Sequence, residues 1–297
     1  MTKFFIGIAL YIMIASIPIG NHIYAEEYAS VVASDEVNVT THEWQLGVAM
    51  GIGVKTNPLF DGDNIPLLLI PDIAWYGEAF YFDNGELGYQ LQLSKRMAIE
   101  GFVTPDTERA FFSFRHPANV FALPNMSTSG LHELPNINDD EGTQFDVSKD
   151  DVASRDWTMN AGLRIHYFLK QKEWQIAYQH DALSVHNGGK FSLHYRQHWQ
   201  ISEWKLSANV DIIWKSSKLL DYYYGIDERD GLDFRYHYNV DSGWQPRVGI
   251  TASRPLSENW AILGMFSYQR LHASLSDSPL IKDNNIRSAF LGVAYRF

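Results

Sequence analysis

From Leu291 to Phe297 the chain alternates without a break. Leu291, Val293, Tyr295 and Phe297 point one way, and Gly292, Ala294 and Arg296 point the other. Period two is the mark of a β-strand whose faces meet different surroundings. The same pattern opens at Trp44, where Trp44, Leu46, Val48, Met50, Ile52 and Val54 oppose Gln45, Gly47, Ala49, Gly51 and Gly53. In all, the pattern predicts twelve strands, over 44–54, 65–75, 79–83, 86–94, 97–103, 154–168, 174–181, 190–201, 204–215, 242–253, 260–271 and 286–297.

The predicted connections also alternate. Short ones are 76–78, 95–96, 170–173, 202–203 and 255–259; long ones are 55–64, 104–153, 182–189, 216–241 and 272–285, and Asn84-Gly85 is a tight hairpin turn. Short turns at one end and long loops at the other are the layout of an outer-membrane barrel. A closed barrel also explains an apolar-faced strand at the very end of a chain, since the last strand must pair with the first to leave no edge in lipid. The expectation is an all-β fold: a single antiparallel transmembrane β-barrel of about twelve strands spanning 44–297. An even strand number puts both termini in the periplasm and 104–153 outside the cell.

Tryptophan supports the same layout. Trp44, Trp75, Trp174, Trp199, Trp204 and Trp260 fall at the short-turn ends of their segments, and Trp157, Trp214 and Trp244 at the long-loop ends. Indole favours the membrane–water boundary, so these nine are expected to form two interfacial girdles.

The amino terminus reads as a secretory signal peptide over 1–25. Lys3 precedes an apolar run from Phe4 to Ile17, Pro18 and Gly20 break it, and Ala25 stands before Glu26 and Glu27. The run is too short to span a membrane as a helix. Residues 26–43 are expected to be a periplasmic segment ahead of the barrel.

Composition then narrows the chemistry. There is no cysteine, which excludes disulfides and thiol catalysis. Twenty-four Lys and Arg against 35 Asp and Glu leave a net charge of −11, which argues against nucleic acid as a partner. The strand phases send Arg164, His166, Gln179, Asp181, His194, Arg196, His198, Lys205, Asn209, Asp211, Lys215 and Arg247 inward, with Glu100 beside them. The expected lumen is therefore basic, while the acids gather in loops such as 139–141, 150–151 and 227–230. Such a set fits either an anion-favouring lumen or a salt-bridged, hydrogen-bonded plug.

Catalytic signals are thin. The chain has no Gly-x-Ser-x-Gly elbow, no His-Glu-x-x-His helix and no phosphate-cradling loop. His194 and His198 share a strand face with Arg196 but have no third ligand at metal spacing. Adjacent strand residues point to opposite faces, so His180 and Asp181 cannot pair with each other. Neither enzymatic activity nor a cofactor is expected.

Several blocks carry a family resemblance. They are Gly47 to Val54, Asn57-Pro58-Leu59-Phe60, Gly62-Asp63, Ile65-Pro66, Trp75-Tyr76-Gly77, Phe80 to Gly88, Asp221 to Gly225, Ser278-Pro279 and the closing Gly292 to Phe297. In this order they resemble the MipA/OmpV family of Gram-negative outer-membrane proteins; 104–153 carries no such block. The resemblance implies a closed barrel in contact with outer-membrane lipid and lipopolysaccharide. It further implies a non-catalytic scaffold between a lytic transglycosylase and a penicillin-binding protein, both acting on peptidoglycan. A porin-like channel and a surface adhesin are the alternatives seen among members.

Overall fold

The computed structural model describes residues 41–112 and 146–297. The expected signal peptide and most of the segment that follows it lie outside the described residues, as does 113–145.

The strands are β1 (Trp44–Lys55), β2 (Ile65–Pro66), β3 (Leu69–Tyr76), β4 (Phe80–Asp83), β5 (Glu86–Ser94), β6 (Met97–Pro105) and β7 (Met159–Leu169). They continue as β8 (Lys172–Asp181), β9 (Gly189–Ile201), β10 (Trp204–Lys215), β11 (Gly243–Pro255), β12 (Trp260–Arg270) and β13 (Asn285–Arg296). All pairings are antiparallel. β2 and β3 both pair with β1, so they form one wall strand interrupted at Leu67 and Leu68, and the wall has twelve strands. β13 returns to β1 in register from Gly47↔Arg296 to Lys55↔Ser288, which closes the barrel. No helix among the described residues is long and apolar enough to cross a membrane.

The wall is inside-out relative to a water-soluble domain. Along β8, Trp174, Ile176, Tyr178 and His180 are exposed while Gln175, Ala177, Gln179 and Asp181 are buried. On β7, Leu163 is 65% exposed while Arg164 and His166 are buried. Apolar side chains outside and polar ones inside are stable only when the outer solvent is lipid. Exposed Leu, Ile, Val, Phe and Trp recur in the same phase on β1, β5, β10 and β11.

The closing seam is packed through glycine. Gly51 lies opposite Gly292, and a Cβ on Gly51 would come within 2.0 Å of the Leu291 carbonyl oxygen. Backbone at this approach leaves room for no side chain.

Two expected boundaries shift. β7 begins at Met159 rather than at 154, so Trp157 stands in the preceding loop. The segment read as 79–83 begins one residue later, at Phe80, and ends as expected at the Asn84-Gly85 turn, with both turn residues at positive φ. Asn84 then takes over the pairing. Its backbone N–H donates to the Ile73 carbonyl, and its Oδ1 accepts from the Ile73 N–H, both at 2.9 Å. Among the described residues, no strand pairs with Leu69–Asp72 beyond this clamp, on the side away from β1. Pro71 has the same strand phase as Ile73, so its missing N–H falls on that edge and removes a donor there.

Candidate functional site

The long loops fold over one end of the barrel and pack into an apolar core. α1 (Ser217–Tyr224) begins where the Ser216 hydroxyl accepts from the Leu219 N–H, and it buries Leu219, Leu220, Tyr223 and Tyr224. Leu59, Phe111, Val147, Ile226, Leu275, Leu280 and Ile281 join them from five other segments. Ile286 and Phe290 meet this core from the inner wall of β13, Phe290 being wholly buried. The three tyrosines, read from sequence as boundary or lumen-mouth groups, divide: Tyr223 and Tyr224 are inside the cap and Tyr222 is half-buried.

Arg155 ties the cap together. Only 2% of it is exposed. It donates to Asp230 at 2.7 and 3.4 Å, and to the carbonyls of Ala153, Tyr223 and Gly225. Burial pushes the Asp230 carboxyl up, but Arg155 and the backbone N–H groups of Asp227 and Ala153 more than offset it, so its pKa is lowered. That stabilisation is present above the ordinary carboxylate range and lost as acid protonates the group.

Glu108 hangs from the cap toward the lumen. It lies on a short 3₁₀ turn, Glu108–Phe111, where Asp106 accepts from its backbone N–H. Its carboxylate takes the Lys215 ammonium at 2.7 Å and the Tyr224 hydroxyl at 2.8 Å. Burial would raise its pKa, yet Lys215 and Lys190 hold it low. Burial and the same carboxylate push the Tyr224 hydroxyl well above its usual range.

Below the cap the inward side chains are joined in pairs and chains. Arg164 bridges Glu86 at 2.6 Å and Glu100 at 2.9 Å, and its guanidinium lies 4.1 Å from the Phe102 ring centre. His166 continues the chain from Glu100 to Glu173, which also meets Arg196. On the facing arc, Asp211 lies 2.5 Å from His194 and 3.0 Å from Arg247, and it accepts from the Asn209 amide. Asp181 is buried too, accepting from the Thr158 hydroxyl and the backbone N–H groups of Leu183, His186 and Asn187.

Of the nine residues singled out from sequence, Arg164, Asp181, His194, Asp211 and Lys215 are buried, Arg196 and Arg247 are partly so, and His198 and Lys205 are exposed near the short turns. Exposure of these inward positions thus rises toward the short-turn end. The sequence reading missed the acids that balance them. Glu86 and Glu173 share the inward phase but stand at strand ends, and Glu108 arrives from a loop. It also missed Lys55 and Lys190, the last and second residues of their strands.

The tryptophans are found as cross-strand partners or on the outer face. Trp44 lies opposite Trp75, and Trp214 opposite Trp244. All but Trp75 and Trp214 are strongly exposed. Among the described residues, no group of three or more His, Asp or Glu is placed to hold a metal ion.

Comparison with known proteins gives a consistent result. The model of the MltA-interacting protein MipA family matches residues 46–297. YiaT of Escherichia coli (strain K12) is 26% identical over 85% of this chain and 91% of its own. The MltA-interacting protein of the same strain is 22% identical over 90% and 96%. The outer membrane protein OmpV of Vibrio cholerae is 24% identical over 98% and 99%.

Proposed function

The chain belongs to the MltA-interacting protein MipA family of outer-membrane barrels, and on that premise we propose that it is a non-catalytic scaffold of the outer membrane. It docks a murein lytic transglycosylase at its short-turn end, which faces the periplasm together with both termini. The observation that carries this reading is the cap. A packed apolar core fills the long-loop mouth, and the inward cations Arg164, Arg196, Lys215 and Arg247 are each held by a carboxylate. A lumen so filled supports a plug over a through-channel. The non-catalytic part rests on the same contacts. Asp211, which meets His194, is tied to Arg247, and Glu173, which meets His166, is tied to Arg196. A third pair, His186 and Asp181 at 3.9 Å, has the Thr158 hydroxyl donating to the carboxylate rather than to the imidazole. Among the described residues none of the three histidines is hydrogen-bonded to a hydroxyl in the manner of a triad.

The short turns offer little area. The segment 26–43 therefore belongs to the docking surface in this reading, since a stable interface needs about 1,000 Å² or more. The detergent-purified barrel with this segment is expected to capture a lytic transglycosylase in a pull-down, and the barrel without it to capture much less. Absence of capture by both forms would remove the scaffold role.

A further inference from the structure

Lys215 and Lys190 lie directly opposite each other on β10 and β9, in the same inward phase. Like charges in this arrangement repel. Lys215 is neutralised by Glu108, but the Lys190 ammonium makes no hydrogen bond or ion pair among the described residues. Lys55 approaches the same chamber from β1, and its ammonium contacts only the Phe111 ring, 4.7 Å from the centre. Lys55 lies in the field of Glu108, Arg247 and Lys215, and Lys190 in that of Asp106, Glu108, Lys215 and Arg247. The remaining acids nearby are already engaged. Asp211 holds His194 and Arg247, and Asp106 accepts from the Asn160 amide and the Glu108 N–H.

A third group points to a missing acceptor. Gln245 lies on the inward face of β11, between Gly243, which is opposite Lys215, and Arg247. It is wholly buried, its Oε1 accepts from the Gln269 amide, and its Nε2 has no partner. A buried amide donor left unpaired costs roughly 1–3 kcal/mol. Among the described residues neither the Lys55 nor the Lys190 ammonium has a close ion-pair partner, and Glu108 and Asp106 act on them only from farther off. Lys55 and Lys190 are only partly buried, so solvent reaches this chamber.

We propose that the chamber beneath the cap is a binding site for a small oxyanion of the phosphate type, held by Lys55 and Lys190 with the Gln245 side-chain N–H as a further donor. An oxyanion supplies what the three groups lack: negative charge for two ammoniums and an acceptor for one amide. This assignment does not depend on the scaffold role.

The test is calorimetry and thermal unfolding of the detergent-purified mature barrel with inorganic phosphate, at ionic strength held constant with chloride. Saturable binding and a phosphate-dependent rise in Tm are expected. Lys190→Met and Lys55→Met should each weaken binding at least tenfold. Lys218→Met, an exposed position on α1, should bind as the parent does. If phosphate has no saturable effect on the parent, or acts equally on the parent and both inward lysine variants, the site does not exist. Should one inward variant fail to fold, Lys55→Gln and Lys190→Gln put the same question with a shorter, uncharged side chain that keeps a polar end.

Discussion

Replacing Arg164 by Met will destabilise the barrel by about 3–5 kcal/mol, the cost of breaking a buried ion pair from one side. Arg164 is the hub of the inner wall on β5 to β7. It bridges Glu86 and Glu100 and lies over Phe102. Its side chain is 9% exposed, and Glu100 is similarly enclosed, so water cannot take over either role. Removing the guanidinium leaves two carboxylates beside each other and beside the Tyr81 hydroxyl, which donates to both. Urea unfolding in detergent micelles, followed by tryptophan fluorescence, measures the change. Most of the expected cost is orphaned charge rather than lost attraction. Adding Glu86→Gln and Glu100→Gln to Arg164→Met should therefore recover about half or more of the loss. A triple variant as unstable as the single one would show that the guanidinium acts through packing on Phe102 instead.

Arg155→Met is the second large effect, and it should be local. Arg155 joins the loop leading into β7 to the turn that follows α1, through Asp230 and three backbone carbonyls. Its removal leaves Asp230 buried without its cation, at a cost again of about 3 kcal/mol or more, or roughly a hundredfold in the opening equilibrium. The wall has its own ladder and should persist. Limited proteolysis is the discriminating readout. Cleavage within 146–158 and 225–241 should accelerate by roughly that factor, while the barrel still shows its compact, heat-modifiable band on gels. Loss of the band together with the cap would mean that cap and wall unfold as one unit.

How much of this was legible beforehand depends on where each residue sits. The wall was readable because lipid outside and polar groups inside impose period two on every strand, and strict alternation such as Trp174 to Asp181 fits neither a helix nor an irregular loop. Closure of the last strand on the first was implied by the last strand's apolar face at 291–297. The sequence reading failed where phase carries no information. Trp157 was expected on a strand, although the chain turns inward there at Arg155. Charge balance was the larger miss. Inward cations sit mid-strand, where phase is unambiguous, but their partners Glu86, Glu173 and Glu108 come from strand ends and a loop. The lumen thus looked more basic than its contacts make it. The cap was not legible at all, because its core joins short pieces such as Leu59, Val147 and Leu280 that only the closed barrel brings together.

In the reading proposed above, this outer-membrane barrel carries no through-channel: the loop core fills its mouth, and Arg164, Arg196, Lys215 and Arg247 are each held by a carboxylate. Planar-bilayer recording of the purified, refolded mature protein tests it most directly. A quiet membrane after repeated verified insertions is the expected result. Recurrent current steps of uniform size would contradict the account and make the barrel a channel.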